Sequence, residues 1–272
     1  MNACIDIVNA IRRKRKMQII IKSDIFAKHP EIIHGVSTKV DGAQPLSNNM
    51  SKFVGDDLEQ VMNNRSEFYT QLGIDINTAK FAHANQIHSG NVTVVNKGGL
   101  FKETDALITN QKGIFLVISV ADCLPVMIYD TAKHVIAYVH SGWRGTANGI
   151  ITNTLHKMKA EFGCNVHDMI VFTGPGISKE NFEVGTEVAE MFDVKYVDPH
   201  PPPLSQRERG ESPQKFFIDL KAVITDQLTA SGVNPANIDT CPYCTFSEKD
   251  LLHSYRRDKE SSGRMFAVIG MR

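Results

Sequence analysis

The chain has 272 residues, 42% of them hydrophobic and 22% charged, enough to bury a full core as one large domain or two small ones. Thirty basic residues balance thirty acidic ones, so no bulk field draws the protein toward nucleic acid or anionic lipid. No window approaches the roughly eighteen apolar residues that span a bilayer, and five irregularly spaced cysteines do not make a disulfide framework. A soluble, cytoplasmic protein without nucleic-acid or membrane partners is expected; its oligomeric state is not written in the sequence.

Taken in chain order, the basic run Arg12-Arg13-Lys14-Arg15-Lys16 before Met17 makes residues 1–16 a disordered N-terminal extension. Residues 17–21 and 32–37 read as strands. Residues 56–72 have helical spacing, with Leu58, Val61, Met62, Phe68 and Leu72 on one face and Gly73 as the stop. Residues 80–83 and 92–95 read as strands around a polar turn that carries His88. Strands are expected at 104–109 and 114–120, the second nearly all apolar and therefore buried on both faces. Residues 126–130 and 135–140 form a hairpin-like pair. A helix over 149–162 is followed by Gly163, then come a strand at 169–173 and a short helix at 187–192. Five prolines among charges make 198–214 a mobile loop. A helix over 217–230 and a strand at 265–269 complete the chain. Strands interleaved with helices give an α/β (mixed α+β) fold, a single layered catalytic domain over 17–272 with mixed β-sheets flanked by helices.

Three short stretches place ligand-type residues where a buried strand meets a polar turn. They are Gln86-Ile87-His88-Ser89-Gly90, Ala121-Asp122-Cys123-Leu124-Pro125 and His140-Ser141-Gly142-Trp143-Arg144-Gly145. Two histidines and a cysteine suit zinc, with a fourth tetrahedral position left open. The same residues also fit a Cys123 nucleophile with a histidine base, or a buried cysteine beside two histidines bonded to backbone. Cys241-Pro242-Tyr243-Cys244 has the spacing of a redox pair. With only 28 residues after it, no thioredoxin-like fold can follow, and no second Cys/His pair lies nearby to complete a zinc site.

These stretches resemble motifs of a bacterial family first described as polyphenol oxidases (laccases) and later as purine nucleoside phosphorylases. Further matches run in the same order: Val54-Gly55-Asp56-Asp57 with Asn64-Arg65, Thr104-Asp105-Ala106-Leu107-Ile108-Thr109, Gly174-Pro175-Gly176-Ile177 with Phe182-Glu183-Val184-Gly185, and Ser254-Tyr255-Arg256-Arg257-Asp258 followed by Ser262-Gly263-Arg264. The resemblance implies a cysteine-hydrolase-like fold and a metal ion held by His88, Cys123 and His140. It also implies phosphorolysis of adenosine, inosine, guanosine and methylthioadenosine, with deamination of adenosine.

Zinc is favoured over copper, because three ligands with one sulfur do not supply the several sites a multicopper oxidase needs; copper still competes for such donors. Arginine's bidentate fork suits phosphate, which assigns Arg65 and Arg144 to phosphate and makes purine nucleosides and phosphate the expected partners. Asp122 is assigned to orienting a metal ligand or relaying a proton. Laccase activity with copper and a cysteine hydrolase using Cys123 and His140 are the alternatives. Several positions depart from the family pattern: Ser89 precedes the expected glycine, Lys39 stands for an arginine, Gly176 for a cysteine and His253 for a phenylalanine.

Overall fold

The computed structural model describes residues 18–40, 42, 44, 46–200 and 215–272. Its strands are β1 (Ile32–Val36), β2 (Lys80–Ala84), β3 (Val92–Val94), β4 (Gly99–Phe101), β5 (Ala106–Thr109), β6 (Ile114–Val120), β7 (Leu124–Asp130), β8 (Val135–Ser141), β9 (Met169–Thr173), β10 (Glu183–Gly185), β11 (Val197–His200), β12 (Lys215–Ile218), β13 (Ile238–Thr240) and β14 (Met265–Met271). The α-helices are α1 (Leu58–Gln71), α2 (Trp143–Ala147), α3 (Ile150–Phe162), α4 (Thr186–Ala189), α5 (Leu220–Ala230) and α6 (Tyr255–Asp258).

Two mixed sheets carry most of the described strand residues, one in the order β1-β14-β6-β2-β4 and the other β13-β9-β7-β8-β5-β3; β10-β12-β11 form a small third sheet. Alternation along the strands explains why the two large sheets stack. On β7 and β8, Met127, Tyr129, Ile136 and Tyr138 meet Leu116, Ile118, Met265 and Ala267 of the other sheet in one buried cluster. Their neighbours Val126, Ile128, Ala137 and Val139 turn the opposite way, against Ile151, Leu155 and Met158 of α3 and Ile224 and Leu228 of α5. On the far side, Phe115, Val117, Phe266 and Val268 pack against Phe68 and Tyr69 of α1 and Leu72 just after it. The order of layers is helix, sheet, sheet, helices. Each central strand is apolar on both faces, as the uninterrupted run in β6 requires.

Local chemistry sets the helix ends. Asp57 accepts a hydrogen bond from the backbone N–H of Gln60 at the start of α1, and Gly163 ends α3 in the left-handed region at φ 65°.

The 126–130 and 135–140 pair is antiparallel β7–β8, and the strand expected at 169–173 is β9. Other expectations need correction. In place of a strand at 17–21, the described residues there show a single bridge, Ile21 to Val36. The helix expected from 217 begins at Leu220, because Phe217 and Ile218 pair with Asp198 and Val197 as β12. That pairing also makes residues 198–200 the strand β11 rather than loop, since Pro199 at a sheet edge costs no ladder bond. The rest of the expected loop, 201–214, and the expected extension at 1–16 lie outside the described residues. Strands β4, β10 and β13, three residues each, are too short to show a period. Among the described residues no helix is long and apolar enough to cross a membrane.

Candidate metal centre and adjoining cleft

The two large sheets end side by side, and three chain segments converge there. His140 is the penultimate residue of β8. Cys123 lies in the turn between β6 and β7, and the β7–β8 register that pairs Leu124 with Ser141 sets Cys123 opposite Gly142. His88 lies in the turn after β2, in the left-handed region at φ 60°. The structure therefore brings His88, Cys123 and His140 together, with one ligand atom from each inside a 4.8 Å span and the two imidazole rings edge to face at 4.9 Å. Two imidazoles and a thiol at this spacing fit a four-coordinate zinc, whose donors lie about 3.5 Å apart at bond lengths of about 2.0–2.3 Å, after modest contraction.

Asp105 organises this centre. It is fully buried just ahead of β5, and its backbone carbonyl accepts from His140 N–H at 2.7 Å. Its carboxylate accepts from His140 Nδ1 at 2.9 Å, which leaves Nε2 to face Cys123. The same carboxylate accepts the backbone N–H groups of Ile87, His88 and Ser89 at 3.2, 2.9 and 2.7 Å and the Ser89 hydroxyl at 2.8 Å. One anion thus sets the orientation of one imidazole and the backbone turn of the other. Burial alone would raise its pKa, but hydrogen bonds from His140 and Ser89 hold it at about 2.

Burial would also raise the Cys123 thiol. The charge of His140 and hydrogen bonds from both imidazoles bring it below the ordinary cysteine range instead. Against its own burial, His140 is driven upward by Cys123 and Asp105. A thiolate beside an imidazole oriented by a carboxylate can bind a soft or borderline cation or act as a nucleophile. Space is tight: a Cβ on Gly142 would stand 3.0 Å from Cys123 Sγ and 3.0 Å from His88 Cδ2.

Asp122, beside the thiol, has φ 87°. Its carboxylate accepts from Thr245 Oγ1 at 2.6 Å and from Arg256 N–H at 2.6 Å, so it fastens the C-terminal segment to the Cys123 turn. Burial lowers the pKa of Arg264, and the negative charges of Asp122 and Cys123 partly offset this.

A cleft of about 230 Å³ is lined by Arg65, His83, Gln86, Ser119, Phe53 and Phe266, among others; Gln86 and Ser119 stand two and four residues before His88 and Cys123, which do not themselves line it. The Arg65 guanidinium donates to Met50 O at 2.8 and 2.6 Å and lies 4.5 Å over the Phe266 ring. Gln86 exchanges two hydrogen bonds with the backbone of Ser119, at 2.8 and 2.9 Å, pinning the His88 segment to the strand that leads to Cys123. Arg144 does not line this cleft; four residues after His140, it is exposed at the start of α2 with its guanidinium 4.1 Å over the neighbouring Trp143 ring.

Sequence reasoning missed Asp105 and Gly142 as parts of the site. Both stand inside recognisable motifs, but only the strand register shows Asp105 beside His140 and Gly142 beneath Cys123.

A layered α/β protein with a His-Cys-His centre at the sheet ends is the class that fold and site define. The chain matches, over residues 33–272, the family described as multi-copper polyphenol oxidoreductase laccase, and it belongs to that family. It is 33% identical to a purine nucleoside phosphorylase of Bacteroides thetaiotaomicron, over 90% of this chain and 93% of that one. It is 32% identical to adenosine deaminase RL5 from an unknown prokaryotic organism, over 90% and 96%. The crystal structure of YlmD from Geobacillus stearothermophilus superposes with a TM-score of 0.79 at 27% identity, covering 94% of this chain and all of that one.

Proposed function

We propose that the protein is a zinc-dependent purine nucleoside phosphorylase acting on adenosine, inosine, guanosine and methylthioadenosine, with adenosine deaminase activity. The observation that carries this reading is the convergence of His88, Cys123 and His140; a cleft that contains Arg65 is joined to their segments through Gln86 and Ser119. The names of its relatives point the same way, both phosphorylase and deaminase.

His88, Cys123 and His140 would hold the metal, which would supply Lewis acidity when bound. Asp105 keeps His140 in the tautomer whose Nε2 is free to ligate. Arg65 and Arg144 grip phosphate, Arg65 from the cleft wall and Arg144 from the start of α2. Asp122 holds the Cys123 turn in place. Among the described residues there is one candidate cluster of metal ligands, which argues for a single-metal transferase over a laccase that must collect four electrons.

The test is adenosine turnover with and without phosphate on protein of known zinc content. Ribose 1-phosphate and adenine that form only with phosphate support the phosphorylase reading. Inosine alone moves the function to deamination, and zinc-loaded protein inert toward every nucleoside overturns both.

A second reading, a cysteine hydrolase, is favoured by the line of Asp105, His140 and Cys123, which has the order of an orienting acid, a base and a nucleophile. Metal-free protein that turns over, and loses activity with one equivalent of iodoacetamide on Cys123, would establish it.

A further inference from the structure

The Cys241-Pro242-Tyr243-Cys244 turn has no part in the phosphorylase chemistry, yet it adjoins the metal centre. It begins directly after β13, where Cys241 N–H donates to Thr173 O at 2.8 Å. Both cysteines are free thiols and almost fully buried, and Tyr243 between them is 43% exposed. Cys244 Sγ accepts from Ser178 N–H at 3.3 Å and from the Asn181 amide at 3.4 Å. Lys221, at the start of α5, donates to Cys241 O at 2.7 Å and Tyr243 O at 3.2 Å and lies within electrostatic reach of both sulfurs. Burial would raise the Cys244 thiol, but hydrogen bonds from Ser178 and Ser247 hold it below the ordinary range, whereas burial pushes Cys241 up. The two sulfurs are thus differentiated, one readier to attack and the other to resolve.

The turn is also tied mechanically to the metal ligands. Cys244 bridges Gly176, and Thr245 N–H donates to Gly176 O at 3.1 Å. The Thr245 hydroxyl donates to Asp122 Oδ1 at 2.6 Å, one residue from Cys123. Asp122 holds a backbone conformation unfavourable for a residue with a side chain, so the turn depends on the bonds that restrain it.

We propose that Cys241 and Cys244 are a redox modification site, closed to a disulfide by hydrogen peroxide, and that closure loosens the Cys123 turn through Thr245 and Asp122. A small oxidant is indicated because both sulfurs are too enclosed for a peptide disulfide to reach. The Cys244 thiolate attacks one peroxide oxygen, forming an S–O bond, and the O–O bond breaks to release hydroxide. The Cys241 sulfur then attacks the sulfenic sulfur; the S–S bond forms and the S–O bond breaks, its oxygen leaving as hydroxide. The two thiol protons convert both hydroxides to water. Two thiols and one peroxide give one disulfide and two waters. Closure requires Cys244 Sγ to leave Ser178 and Asn181, and this movement draws Thr245 from Asp122.

The disulfide stands independently of the proposed phosphorylase activity; only its effect on turnover rests on that reading. Zinc-loaded full-length protein is treated with hydrogen peroxide and mapped by alkylation and peptide mass. The expected product is a Cys241–Cys244 disulfide that dithiothreitol reverses and Cys241→Ser prevents. With it, zinc should pass to a chromogenic chelator about fivefold faster, and nucleoside turnover should fall by about the same factor, the effect of one lost hydrogen bond. Cys241→Ser protein should keep the zinc-release rate of reduced wild type after peroxide, and Thr245→Val should show the faster release without any oxidant. Peroxide that oxidises Cys123 and leaves Cys241 and Cys244 as thiols overturns the site. A disulfide that forms with zinc release unchanged overturns the coupling, whether or not the protein carries out phosphorolysis.

Discussion

His140 Nδ1 donates to Asp105 Oδ1 at 2.9 Å, and the same carboxylate closes the turn that presents His88. Two candidate ligands, one on β8 and one in the turn after β2, therefore depend on one buried anion, whose two oxygens receive five donors in all. Asp105→Asn keeps the shape but offers a single oxygen, and sets an amide N–H against groups that are themselves donors. Zinc affinity is expected to fall about ten- to hundredfold, measured by competition with a chromogenic chelator. Wild-type affinity in the Asn variant would show that the carboxylate does not organise the site.

Gly142→Ala separates the site from the fold. The glycine has φ −79°, a conformation any residue adopts, so the backbone is not strained by the change. The added methyl instead meets Cys123 Sγ and His88 Cδ2 at 3.0 Å each. Weaker zinc binding with a melting temperature within a few degrees of wild type is expected, since one strained contact costs about 1 kcal/mol or more. A large loss of melting temperature in the metal-free protein, with zinc affinity intact, would contradict this.

Much of this was legible in the sequence, and what was not has a physical cause. The candidate ligands His88, Cys123 and His140, which the structure brings together, stand in recognisable stretches at strand ends, and the long apolar strands β6, β7, β8 and β14 announce themselves by composition. Asp105 did not, because a buried carboxylate beside a strand looks the same in sequence whether it caps a turn or orients a ligand. Its role appears only when Ala106 pairs with Val139 and carries Asp105 to His140. Asp122 was assigned by proximity to Cys123, whereas its oxygens face Thr245 and Arg256, more than a hundred residues away. Contacts of that separation are set by topology, which local spacing does not encode.

Acid sensitivity should have a component from His34, well away from the metal ligands. Its ring is buried against Phe26 and Phe172, and Nε2 accepts Ser23 N–H at 2.9 Å, which requires the neutral form. Burial, then the nearby Lys22 charge, lowers its pKa to about 4 from an ordinary 6.5. Between those values the unfolded chain takes up a proton that the folded protein refuses, so stability declines as the pH falls through this window and is flat above it. The full effect is about 3 kcal/mol, reached near pH 4. His83, also lowered to about 4 by burial and then by Arg65 and Lys52, adds a component of the same sign. Urea titrations of wild type and His34→Gln from pH 7.5 to 4.5 (about the usable range for the method) check this. Identical slopes of stability against pH in the two proteins would remove His34 from the account.

The phosphate assignment divides two arginines by their surroundings. Arg65 is anchored on Met50 O and the Phe266 ring, so it enters the cleft pre-oriented and loses little freedom when an anion arrives. Arg144 is exposed and rests on Trp143, and has more to order on binding. Arg65→Ala should raise the Michaelis constant for phosphate about ten- to hundredfold, as loss of a charge-assisted pair does, with a lower melting temperature from the lost packing. Arg144→Ala should act on the phosphate constant alone, by a smaller factor. Varying phosphate at saturating nucleoside, and nucleoside at saturating phosphate, separates these effects from damage to the nucleoside site. If Arg65→Ala lowers stability and leaves the phosphate constant unmoved, the guanidinium is a strut between α1 and β14, and the anion must be held elsewhere in the cleft.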